Sequence, residues 1–245
     1  MAISWIVFAC VFGCGLLGMF LRAALPEHHL GTDSRDLVKL GMGLIATLAA
    51  LTLGLLIASA KGSYDAQRNE LTQMSANIIL LEHVMAHYGP ETREARDLLR
   101  RSVARMFARM WPETTSRPAQ LEPTVEGLYD KIQALSPQND AQRSIKAQAI
   151  GIITELGKAR WLLFERRGGS VSVPFLVVLV FWLAMIFLSF GLLAPANPTV
   201  IATVFVCALS VSGAIFLILE VDRPFDGHIL ISSAPLRDAL WFLDH

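Results

Sequence analysis

The sequence predicts an all-α membrane protein: four transmembrane helices with a helical cytosolic insert between the second and third. Three observations carry that prediction. Hydrophobic residues make up 53% of the 245 residues and charged residues only 17%, so much of the chain favours an apolar solvent. Uncharged stretches reach or exceed the roughly 20 residues that a helix needs to cross a hydrocarbon core. Basic residues gather in one long polar segment between those stretches. The same composition excludes a disordered chain, which needs low hydrophobicity and high net charge. Cys10, Cys14 and Cys207 all lie in apolar runs, which excludes a disulfide scaffold. Lys+Arg and Asp+Glu balance at 21 each, so no global charge points to nucleic acid.

Met1–Leu21 carries no charge and ends at Arg22. Met1-Ala2-Ile3-Ser4-Trp5 has no basic residue, so the segment reads as an uncleaved anchor rather than a signal peptide. Leu40–Ala60 is uncharged between Lys39 and Lys61, and nothing from Gly168 to Leu219 is charged. Ala194-Pro195-Ala196-Asn197-Pro198 interrupts this last stretch with turn-forming residues, predicting spans over Val173–Ala194 and Pro198–Leu219.

Residues 61–170 hold 16 Lys+Arg against 13 Asp+Glu, with Lys61, Arg160, Arg166 and Arg167 close to span ends. Basic residues collect on the cytoplasmic side, so the insert and both termini are expected there, with the loop around His28 and His29 outside. Leu71, Met74, Ile78, Leu81, Met85 and Tyr88 form a seam of period 3.5, as do Ile145, Ala149, Ile152, Leu156, Ala159 and Leu163. These predict two antiparallel stalks continuing the membrane helices. Gly89-Pro90 stops the first stalk and starts the next helix. The expected division is 1–60 (spans one and two), 61–170 (helical insert), 171–219 (helical hairpin) and 220–245 (an acidic cytosolic tail).

Four blocks carry a family resemblance: Leu51–Gly62; Tyr88-Gly89-Pro90-Glu91-Thr92; Ser189-Phe190-Gly191-Leu192 with Pro195 and Asn197; and Leu219–Phe225, containing Arg223, Pro224 and Phe225, with Gly227. In this order they resemble a bacterial family of bestrophin-like membrane proteins of undefined function. The chain departs from that family at Leu81-Glu82-His83, where the family reads Leu-Asp-Arg. Bestrophins proper are oligomeric ion channels with a transmembrane pore and a helical cytosolic vestibule. The resemblance implies an analogous homo-oligomer in the bacterial inner membrane, with five subunits by analogy alone.

Two helix faces and one acidic cluster are the candidate sites. Gly43, Thr47, Ala50, Gly54 and Ala58 fall within about 80° of one face of span two. Thr199, Thr203, Ser210 and Ala214 share a face of span four. Such stripes read either as close helix packing or as a pore wall in which hydroxyls and carbonyls solvate ions. Glu220 and Asp222 close span four. They read either as a charged pore mouth with oxygen ligands suited to calcium or as a paired cluster with Arg223 or Lys61. No other cofactor or metal is expected. His83 and His87, four apart, are accompanied only by Glu82 and lack the His-Glu-x-x-His order, so they read as a solvated face. Arg93, Arg96 and Arg100 line one face of a helix and Arg101, Arg105 and Arg109 another, facing lipid headgroups, the acidic tail or solvent. No phosphate loop, nucleophile elbow or Cys-x-x-Cys appears, so the expected function is ion conduction, or a membrane-anchored scaffold without a pore, rather than catalysis. The expected partners are membrane lipids and further copies of the chain.

Overall fold

The computed structural model describes residues 2–24, 32–111, 125–165, 172–222 and 229–244. The described residues form eight α-helices and no strand: α1 (Ala2–Ala24), α2 (Thr32–Tyr88), α3 (Arg93–Met110), α4 (Val125–Gln133), α5 (Asp140–Glu165), α6 (Val173–Leu193), α7 (Pro198–Val221) and α8 (Ala234–Asp244). Four of them are long and apolar enough to cross a membrane: α1, α2, α6 and α7. The all-α fold with four spans is therefore the one the sequence predicts. The chain divides into two compact units, Met1–Ser63 with Gly169–Arg223, and Tyr64–Gly168 with Pro224–His245.

In the first unit α1 packs against α6 and α7. Apolar side chains give helices little reason to associate in lipid, so close backbone approach does much of that work. Glycine supplies it here. A Cβ on Gly18 would fall on the Leu188 carbonyl oxygen, and one on Gly191 would fall on the Gly15 carbonyl oxygen. A Cβ on Gly15 would stand 2.8 Å from Val204 Cγ1 of α7. Aromatic rings extend the contact. Phe8 and Phe12 stack with centroids 5.7 Å apart, and Phe205 of α7 meets them edge-on at 5.5 and 5.6 Å. The α6–α7 turn falls at Ala194–Asn197, with Pro198 opening α7. Arg22 Nη1 donates to the Leu193 carbonyl at 3.0 Å. Leu193 ends α6, so the guanidinium meets one of the carbonyls a helix leaves unsatisfied, at the end where the dipole favours a cation.

The second unit has its own apolar core, centred on the first predicted seam. Leu71, Met74, Ile78, Leu81, Met85 and Tyr88 are all buried. The second seam is centred slightly differently: Ala149, Ile153, Leu156 and Leu163 are buried, while Ile145, Ile152 and Ala159 lie at the rim. Asn139 caps α5, its Oδ1 accepting the Gln142 N–H at 2.8 Å, the usual role of asparagine at that position. Lys146 Nζ donates to the carbonyls of Gln133, which ends α4, and of Leu135 just beyond it. The segment expected only as an acidic tail contains α8, which buries Leu236, Ala239 and Leu243. Trp111 Nε1 donates to the Ile231 carbonyl at 3.3 Å, and Arg100 holds both the Leu243 carbonyl and, at 2.8 Å, Asp244.

The α1–α6 contact predicts that Gly18→Ala lowers stability by about 1–3 kcal/mol, the usual cost of overpacking. Gly13, on the same helix, has nothing within 4 Å of a Cβ, so Gly13→Ala leaves melting unchanged or slightly raised. Thermal melts of the two purified variants check this; equal melting temperatures would remove the glycine contact as the determinant.

Candidate functional site

The membrane portion of α2 has three distinct faces at 100° per residue. Ala49, Leu56 and Ala60 are buried and belong to the core of the first unit. Leu40, Leu44, Leu51 and Leu55 are exposed along a second face. Gly43, Thr47, Ala50, Gly54 and Ala58 form a third, also exposed, roughly 145° from the buried one. Among the described residues outside its own helix backbone, nothing lies within 4 Å of a Cβ on Gly43 or Gly54. Only 11% of the most apolar window of this helix is buried, against 28% in each of the other spans. The small residues on this third face are thus not spent on packing against the described residues of the chain.

Helix α7 repeats the pattern. Val204, Ala208, Ser212 and Ile215 are buried, while Thr199, Thr203, Cys207 and Ser210 are exposed roughly 130° away. Three hydroxyls on the two exposed stripes, those of Thr47, Thr203 and Ser210, have their protons committed. Thr47 Oγ1 donates to the Gly43 carbonyl at 2.9 Å, Thr203 to Thr199 at 2.9 Å and Ser210 to Val206 at 2.8 Å. A hydroxyl has one proton and two lone pairs, so each stripe presents acceptor oxygens outward. Acceptor oxygens suit cations.

Glu220 and Asp222 are half-buried at the end of α7. Neither carboxylate is a free charge, and Lys61 likewise takes part in an interaction. Glu220 lies about 90° around the helix from the hydroxyl stripe, so charge and hydroxyls do not share one face. Arg223, Pro224 and Phe225, the motif residues beyond, lie outside the described residues.

The remaining motif residues build corners. Asn197 precedes α7 in extended backbone, and its carbonyl accepts the Ile201 N–H at 3.1 Å, with Pro195 in the turn before it. Gly89 has φ +132°, a conformation that side chains rarely adopt. Pro90 opens the 3₁₀ turn Pro90–Thr92. Thr92 is fully buried, its Oγ1 within 2.7 Å of the Met85 carbonyl and 2.8 Å of the Gly89 carbonyl. Nearby, Glu82 is buried against Arg96, whose Nε donates to Oε1 at 2.6 Å. Arg96 and Arg100 of one arginine row are therefore engaged inside the second unit, and Arg100 does meet the C-terminal segment. Arg101 Nε donates to the Asp97 carbonyl four residues back in its own helix. His83 and His87 are exposed with ring centroids 4.5 Å apart.

Sequence reasoning passed over Gly15 and Gly18. Their signal was present as two glycines three apart in an apolar helix, the spacing of one helical face. It also missed α8, although Leu236, Ala239 and Leu243 stand at helical spacing.

Tyr88 gives a testable consequence of the corner. Its hydroxyl is buried without a hydrogen-bond partner among the described residues, and burial, with Glu91 adding, pushes the phenol above its ordinary 10.0. A pKa raised on folding contributes stability below the unfolded value that is lost as pH rises through the folded one. Tyr88→Phe is expected to be at least as stable at neutral pH, because a buried unpaired hydroxyl costs about 1–3 kcal/mol. It should also lose less stability than the parent protein above about pH 10. Melting temperatures across that range read both effects.

Residues 9–236 match the family described as the Bestrophin-like domain. No curated protein and no solved structure matches the chain.

Proposed function

We propose, from the premise that this chain belongs to the bestrophin-like family, that it is a homo-oligomeric channel for small inorganic cations in the bacterial inner membrane. The observation that carries this reading is the pair of exposed small-residue faces on α2 and α7, where the hydroxyl protons of Thr47, Thr203 and Ser210 are already bonded within their own helices. A lipid-facing helix has no use for glycine and threonine in register. A helix of a neighbouring copy, or a water-filled path, does. In this arrangement Gly43, Gly54 and the alanines let copies of α2 approach, while Thr47, Thr199, Thr203 and Ser210 offer oxygen ligands to ions. Glu220 and Asp222 sit at the cytosolic end of α7. Repeated by symmetry, they raise local cation concentration and supply ligands of the type calcium takes. The alternative is a membrane-anchored scaffold in which the helical second unit recruits partners.

Planar-bilayer recording from purified protein, with oligomer mass measured in parallel, tests the proposal. Discrete currents with a reversal potential displaced toward the cation limit under a salt gradient are expected. Gly54→Leu should reduce the oligomer, since its four added carbons push an approaching helix away. Glu220→Gln should lower cation over anion permeability several-fold, because unit charges 4 Å apart interact by about 4 kcal/mol at an effective dielectric near 20 and each 1.4 kcal/mol is about tenfold. Silence from an inserted oligomer supports the scaffold. An anion-directed reversal potential overturns the assignment of the ion.

The accompanying topology places the second unit and both termini in the cytosol and the α6–α7 turn outside. In a background lacking Cys10, Cys14 and Cys207, cysteine introduced at Ala196 should react with an impermeant thiol reagent in spheroplasts. Cysteine at Gln138 should react only after lysis. The opposite pattern inverts the orientation.

A further inference from the structure

His83 and His87 stand one turn apart on an exposed face of α2, close to its end at Tyr88. Their spacing alone favours a solvated face, but three structural observations favour a ligand. The two imidazoles lie together, with ring centroids 4.5 Å apart and planes inclined by 52°. Imidazoles that share one ion through nitrogens at about 2.0–2.1 Å, with ligand angles of about 90–110°, have centroids roughly 4.5–5 Å apart. The pair already has the separation of a chelate. Next, His87 Nδ1 lies 2.9 Å from the His83 carbonyl oxygen. A carbonyl only accepts, so Nδ1 carries the proton and the neutral ring keeps a lone pair on Nε2. Metal-binding histidines are oriented in this way, one ring N–H held by a carbonyl and the other nitrogen left for the ion. Finally, His87 lies in the last turn of α2, where the helix dipole favours a cation.

We propose that His83 and His87 together bind one divalent transition-metal ion of the Ni²⁺, Cu²⁺ and Zn²⁺ group. Neutral imidazole suits those ions, whereas Ca²⁺ and Mg²⁺ take oxygen ligands. Glu82, the adjacent carboxylate, is buried against Arg96, so it does not join the pair and the remaining positions fall to water. Both rings are exposed, so the ion exchanges with solution and displaces no buried contact. Bound there, it ties one turn of α2 to the next immediately before Gly89 and holds the helix end against fraying. The site lies wholly within the second unit, uses none of the stripe residues of α2 and α7, and does not depend on whether the chain conducts ions.

The test titrates Zn²⁺ by calorimetry into the full untagged chain in lipid nanodiscs. His28, His29, His228 and His245 stay in every variant, so the readout is the difference from the parent protein. His83→Gln and His87→Gln should each weaken one Zn²⁺ site about tenfold or more. Because one ion needs both rings, the double variant should lose no more than either single variant. Cu²⁺ held by iminodiacetate should show imidazole nitrogen couplings by electron paramagnetic resonance that weaken with either substitution. Saturating Zn²⁺ should slow amide hydrogen exchange over residues 84–88 in the parent protein and not in the variants. Both side chains are exposed, so all variants should melt as the parent does without metal. Unchanged Zn²⁺ binding in either single variant would overturn the proposal. So would losses that add in the double variant, which mean two histidines binding separately, or displacement of Zn²⁺ by equal Ca²⁺, which means an oxygen site. Unchanged exchange over residues 84–88 would overturn the clamping of the helix end.

Discussion

The membrane unit rests on a backbone-to-backbone contact between α1 and α6. Inside a bilayer, side-chain burial contributes little to association because lipid tails are as apolar as leucine. Shape has to supply the difference. Gly18 on one helix and Gly191 on the other remove the Cβ atoms that would hold the axes apart, while a Cβ on Gly15 would meet Val204 of α7. Once α1 and α6 are in contact, Phe8 and Phe12 are placed for Phe205, which brings α7 into the same core. Helix α2 contributes only Ala49, Leu56 and Ala60 as buried residues there. The uncovered faces of α2 and α7 follow from that economy, and they are where function is sought.

Glycine therefore does two different jobs in this sequence, and composition cannot tell them apart. Gly54 and Gly191 both stand in apolar helices within motif blocks. A Cβ at Gly191 would collide with backbone, whereas at Gly54 it would meet nothing. Only the structure separates the glycine that lets α6 close on α1 from the one that meets no neighbour among the described residues. Gly89 is a third case, set first by its positive φ, with the flexible Glu91 carboxylate the nearest group to a Cβ there.

The spans were legible because the signal is a sum over some twenty residues, and hydropathy adds without regard to tertiary contacts. The first seam was legible for a similar reason: Leu71 through Tyr88 repeats over five steps, and all six residues are buried. The acidic tail was one expected partner for the row containing Arg100, but which residues pair was not legible, because an individual partner is set by packing rather than spacing. Arg100 finds Asp244 at a sequence distance no periodicity encodes, and the exchange of the family's Leu-Asp-Arg for Leu81-Glu82-His83 shows its meaning only beside Arg96, which holds the glutamate. The candidate pore residues were found by spacing, yet spacing could not say that Thr47, Thr203 and Ser210 would have their protons occupied. Helix α8 was hidden by its charge: five acids in residues 220–245 drew attention from three small and aliphatic residues on one face.

The bond from Arg22 to the Leu193 carbonyl joins positions 171 residues apart, and this separation has a consequence in time. A ribosome emits chain from the N-terminus at about 5–20 residues per second, so roughly 10–35 s pass between the appearance of the arginine and that of its acceptor. The glycines of α1 wait equally long for Gly191. During that interval the first helix sits in the membrane with a cation at its end and a notch along its side, both unmatched. Newly made chains are thus open to capture by an insertase or a quality-control protease until α6 arrives. The last third of translation decides whether the first helix is kept.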